Sequence, residues 1–102
     1  MKKIVVYVPL SHADTVREAI GQAGGGKLGN YTFCSFSTKG IGRFVPSVGA
    51  KPFLGSVGKA QEVEEERIEV SCDETHVPAV VAAIQAVHPY EELALDIYPL
   101  DS

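Results

Sequence analysis

The run His88-Pro89-Tyr90-Glu91-Glu92 holds the densest set of chemically capable side chains in the sequence. A neutral imidazole with carboxylates a few residues away is ligand chemistry suited to Zn²⁺ or another divalent ion. His88, Glu91 and Glu92 are therefore the metal candidates. A full donor set would need a second histidine, such as His12 or His76, or a neighbouring subunit. The plainer assignment has His88 capping carbonyls, Pro89 stopping a helix, Tyr90 packing, and the glutamates pairing with Arg17 or Arg67.

A second candidate lies in the segment from Lys39 to Gly58, which is punctuated by Gly40, Gly42, Pro46, Gly49, Pro52 and Gly55. Glycines can present backbone N–H groups to an anion. Lys39, Arg43, Lys51 and Lys59 would add positive charge for a small anionic ligand. No Gly-Lys-Ser/Thr follows a strand and opens a helix, so this is not a P-loop. The alternative is a long hairpin arm whose Phe44, Val45, Phe53 and Leu54 pack on an open sheet face or on another subunit, since apolar side chains left on a mobile loop would form an unusual patch. Cys34 and Cys72 are too few for a disulfide framework. Read on neighbouring strands, they form a thiolate or redox pair or, more plainly, two small buried hydrophobes. The acidic run Glu62–Glu66 reads as a solvated strand end that blunts edge pairing. No nucleophile elbow and no placed pair of carboxylates argues for catalysis.

The elements that must position these groups follow from periodicity. Ile4-Val5-Val6-Tyr7-Val8 reads as a strand buried on both faces, ended by Pro9. Ser11 is an N-cap candidate with Asp14 three positions on. Ala13, Val16, Ile20 and Ala23 form one helical stripe, with Arg17 and Glu18 facing water, and Gly24-Gly25-Gly26 must end it. A second strand is expected over 30–37. A third opens at Glu62–Glu66, with Ile68, Val70 and Cys72 inward and Arg67, Glu69 and Ser71 outward. Val77, Val80, Val81, Ile84 and Val87 give the strongest helical periodicity, over about 76–87, with Thr75 as a cap and Pro78 in the first turn. Leu93, Leu95 and Ile97 alternate in a fourth strand.

The order strand, helix, strand, strand, helix, strand predicts an α+β, ferredoxin-like βαββαβ sandwich: an antiparallel four-stranded sheet with two helices on one face. One domain over 1–102 is expected, with a Gly/Pro-rich loop or hairpin arm at 39–60. The other sheet face then needs cover from the long segment or from a sister subunit. The chain has 102 residues, is 45% hydrophobic and carries a formal charge of −4, which argues against a general nucleic-acid binder. The short apolar run after Met1 is no signal h-region, and no segment approaches the roughly 18 apolar residues of a membrane span. The expected setting is the cytoplasm, with reduced thiols.

Several separated motifs occur in one order: Gly29-Asn30-Tyr31; Cys34-Ser35-Phe36; the glycines and prolines from Gly40 to Gly58 around Phe44 and Phe53; His88-Pro89-Tyr90-Glu91-Glu92; and Asp96-Ile97-Tyr98-Pro99-Leu100. Together they resemble the PII-like insert domain of the Nif-three-like (NGG-interacting-factor-three, YqfO-type) proteins, from Lys3 to Leu100. That domain is also found as a short stand-alone protein, the form this sequence resembles. The resemblance implies a fold akin to PII and the trimeric CutA proteins. It also implies a non-enzymatic binding or regulatory module that self-assembles, with a trimer favoured, and takes a small ligand or protein partner. The family's two-metal site lies in flanking domains, so its suggested metal-dependent hydrolase activity does not transfer to these residues. A divalent-metal-binding protein built on His88, Glu91 and Glu92 is the alternative. The family often has an apolar residue where Glu66 stands, which bears on the start of the third strand.

Overall fold

The computed structural model describes residues 1–101. Strand β1 spans Lys2–Pro9, β2 Phe36–Phe44, β3 Gln61–Cys72 and β4 Leu95–Pro99, while helices α1 and α2 span Ala13–Gln22 and Val77–Val87. The four strands lie in the order β2-β3-β1-β4. Every neighbouring pair is antiparallel. This is the expected βαββαβ sandwich.

The core follows from period-two and period-3.6 patterning. Ile4, Val6 and Val8 of β1 and Ile68, Val70 and Cys72 of β3 form one buried layer with Val16 and Ile20 of α1 and Val80 and Ile84 of α2. Both helices therefore cover one sheet face. Helix α1 ends as three consecutive glycines demand. Gly24 takes φ 101°, Gly24 N–H donates to the Gly21 carbonyl and Gly25 N–H to that of Ile20. This Schellman arrangement favours a residue without Cβ at the left-handed position.

Several local expectations give way. Ser11 is not a helix cap: Leu10–His12 form a 3-10 turn, α1 starts at Ala13 without a side-chain cap, and Ser11 Oγ instead hydrogen-bonds His12 Nδ1 at 2.8 Å. Thr75 lies within a 3-10 turn that Asp73 caps by accepting the Thr75 N–H, and α2 follows from His76 without a side-chain cap. Arg17, expected to face water, is only partly exposed. It bridges Asp14, Glu66 and the Ser37 hydroxyl, tying α1 to the sheet.

The second strand lies further along than its β-propensity suggested. Residues 31–35 are outside regular strand; Tyr31 forms only an isolated bridge with Leu28, and Phe33 has φ 59°. The Phe33 ring fills the space where a Cβ on Gly21 would sit, so the turn is bought by packing against α1. Strand β2 instead takes in Lys39, Gly40, Gly42 and Arg43, paired from Phe36↔Glu69 to Phe44↔Gln61. The region 39–60 is thus the outer part of a hairpin arm whose connecting loop covers 45–60. Residues 61–64 of β3 pair with β2 alone, because β1 reaches only as far as Glu65. Consequently the arm extends past the body, giving a molecule 46 × 24 × 23 Å.

Candidate functional site

The sheet face away from the helices carries Tyr7 from β1, Glu65, Arg67 and Glu69 from β3, and Phe36, Thr38, Gly40, Gly42 and Phe44 from β2, by the alternation of the paired register. At the arm end of this face lies a groove of about 630 Å³. Strand residues Tyr7, Thr38 and Arg67 contribute to it, the loop adds Pro52 and Phe53, and the segment after α2 adds Tyr90. The size suits a small organic molecule.

His88 sets the wall formed by that last segment. It is buried, at 8% exposure. Its Nε2 lies 2.8 Å from the Tyr7 carbonyl and its Nδ1 3.1 Å from the Tyr90 N–H. The two contacts fix the neutral tautomer: Nε2–H donates to the carbonyl and Nδ1 accepts from the amide. Burial pushes the imidazole below its ordinary pKa, against the opposing pull of the Tyr7 carbonyl. With both nitrogens engaged by backbone, His88 works as a strut between β1 and the segment leading to β4.

That strut delivers Tyr90. Its ring meets Phe44 at 6.0 Å, Phe53 at 6.3 Å and His88 at 5.1 Å between centroids. His12 approaches Phe53 edge-on at 5.5 Å. Glu91 Oε1 accepts the Lys51 backbone N–H at 2.7 Å, fastening the loop to the same segment. The Tyr90 hydroxyl donates to Glu65 Oε2 at 2.8 Å. Burial, then this bond, pushes the phenol above its ordinary pKa, so it stays a donor at any physiological pH.

Glu65 is the residue that sequence reasoning missed. Within the acidic run Glu62 and Glu64 are exposed as expected, but Glu66 pairs with Arg17 and Glu65 is only 8% exposed. Its carboxylate lies over Gly42, where a Cβ would collide with it. The available signal was Gly40-x-Gly42: glycine inside a strand marks a close approach.

The basic candidates separate. Lys39 and Arg43 line the groove, whereas Lys51 and Lys59 do not. Arg43 pairs with Glu62 at 3.8 Å. Lys51 contributes its backbone, and Lys59 N–H closes a turn on Ser56. Of the metal candidates, His88 and Glu91 hold backbone groups, and Glu92 is exposed at the groove margin. Among the described residues no three of His, Cys, Asp or Glu converge on a point. The cysteines also separate in kind. Cys34 precedes β2 and is partly exposed, while Cys72 is buried in the core and its thiol is pushed up by that burial.

No family model matches the sequence. The chain is 51% identical over 98 residues to the GTP cyclohydrolase 1 type 2 homolog of Halalkalibacterium halodurans, covering 96% of the chain and 26% of that protein. It is 48% identical over 101 residues to the Bacillus subtilis protein of the same name, covering 99% of the chain and 27% of the relative. A crystal structure of a Bacillus cereus protein related to NIF3 superposes with TM-score 0.86 at 46% identity, over 99% of this chain and 26% of that one. The chain is a homologue of one segment of the NIF3-related proteins. It spans about a quarter of the length of the curated relatives it matches. CutA1 from Pyrococcus horikoshii superposes over 100% of the chain and 85% of its own with TM-score 0.72 at 15% identity, which establishes the shared CutA-like fold. No helix among the described residues is long and apolar enough to cross a membrane.

Proposed function

We propose that this NIF3-related segment is a non-enzymatic, PII/CutA-like binding or regulatory module that associates with copies of itself in the cytoplasm and receives a small ligand or protein partner at its groove. The observation that supports this most is the state of the sheet face opposite the helices. It is neither sealed by the chain nor uniformly polar. The arm covers one end of it, and the groove opens there. Elsewhere it leaves Phe36 66% and Tyr98 43% exposed, flanking charged Arg67 and Glu69. Exposed Phe and Tyr beside an Arg on an uncovered face are residue types enriched at interfaces.

A trimer is the favoured assembly, as the resemblance to CutA implies. Analytical ultracentrifugation across a wide concentration range tests it. A trimer that Phe36→Asp dissociates without unfolding is the expected result. Monomer alone at the highest concentration overturns the assembly half of the proposal.

A further inference from the structure

We propose that the groove takes a flat apolar molecule bearing an amidinium, guanidinium or ammonium group, with Glu65 as the receiving carboxylate. This deepens the reading of the groove as a ligand site and rests on it.

One carboxylate at the groove has no cation partner among the described residues. Glu65 is more than nine-tenths buried and lines the groove. A carboxylate taken out of water demands strong donors or a cation. Its Oε2 has one neutral donor, the Tyr90 hydroxyl. Its Oε1 takes no side-chain hydrogen bond among the described residues. Yet among the described residues no fully buried side-chain oxygen or nitrogen lacks a partner. An unbonded Oε1 must therefore be reachable from the groove. The neighbouring cations do not serve it: Arg43 is paired with Glu62, Arg67 with Glu69 and the Tyr7 hydroxyl, and Lys39, although it lines the groove, forms no ion pair with Glu65 among the described residues.

The walls specify the rest of the ligand. Phe44, Phe53 and Tyr90 form an aromatic cluster beside the carboxylate. Such faces favour a flat apolar body and attract a cation. The glycines supply internal controls. A methyl on Gly42 would drive into the Glu65 carboxylate, while one on Gly40, two residues along the same strand, meets nothing within 4 Å.

The test is an NMR titration of the full chain with benzamidine, neutral benzamide and anionic benzoate. A charge-assisted hydrogen bond predicts that benzamidine binds about tenfold more tightly than benzamide. It should shift the amides of Gly42, Glu65 and Tyr90. Glu65→Gln and Gly42→Ala should erase that preference, and Gly40→Ala should keep it. Equal affinity for the three probes, tighter benzoate binding, or no binding by any overturns the proposal. So does a Glu65→Gln variant that changes the sedimentation behaviour but not the benzamidine affinity, because the carboxylate would then serve assembly. Binding of all three probes at the groove without charge preference would leave the ligand-site reading standing and remove only the cation.

Discussion

The two faces of the sheet are built on opposite rules. The helix side is an aliphatic layer in which Ile4, Val6, Val8, Ile68, Val70, Val80 and Ile84 are all 2% exposed or less. The other side mixes Tyr7, Arg67, Glu69 and Phe36, joined by specific bonds such as Arg67 to the Tyr7 hydroxyl at 2.9 Å. The first face supplies stability through area removed from water. The second contributes little burial but places particular groups. Strand β1 belongs to both: Val5 is fully buried although its register sets it on the open side, opposite Glu69 and Asp96.

Substitutions can break this contrast. The largest loss is expected from Ile84→Ala, a cavity in the aliphatic layer costing about 2–5 kcal/mol by chemical denaturation. Next comes His88→Ala, which strands the Tyr7 carbonyl and the Tyr90 amide and should cost about 1–3 kcal/mol. His88 also carries a pH signature. Its folded pKa lies below the unfolded one, so the unfolded chain binds protons first. Its contribution is full above the ordinary value of 6.5 and declines as pH falls below it toward the depressed folded pKa. His88→Gln should remove that slope from denaturation midpoints measured between neutral and mildly acid pH. A smaller effect separates the two glycines. Gly42→Ala should destabilise by about 1 kcal/mol, whereas Gly40→Ala should be neutral or stabilise by a few tenths. If both behave alike, the close passage of Glu65 over β2 is wrong. Least affected is Phe36→Ser, within about 0.5 kcal/mol for the protomer. A core-sized loss there would mean that the open face is part of the fold after all. Thiol labelling sharpens the contrast without mutation: Cys34 should react first, and Cys72 only on unfolding.

Legibility in the sequence follows the same division. Strand β1, the inward Ile68, Val70 and Cys72, and the stripe Val77-Val80-Ile84 could be read because burial against one layer imposes a local period. Strand β2 could not. Its Lys39, Gly40 and Gly42 carry little intrinsic β preference, and pairing with β3, distant in sequence, decides its place. Conversely, the strand-like Tyr31-Thr32-Phe33 is overridden by the docking of Phe33 on Gly21. At the candidate site, the His88–Glu92 run was found by residue type, but residue type left its histidine open between a metal ligand and a partner for backbone carbonyls. A strut and a ligand have the same sequence, and only the two backbone partners distinguish them. Glu65 was hidden among acidic neighbours because burial of one glutamate in such a run depends on Gly42 across the ladder.

The single-sided pairing of 61–64 gives the molecule two tiers of cooperativity. Amides inside the three-strand overlap should exchange hydrogen for deuterium only through global opening, while those of the projecting tip should exchange through local fraying. A tip that opens on its own can be reshaped by whatever it touches without spending the free energy that holds the helices in place.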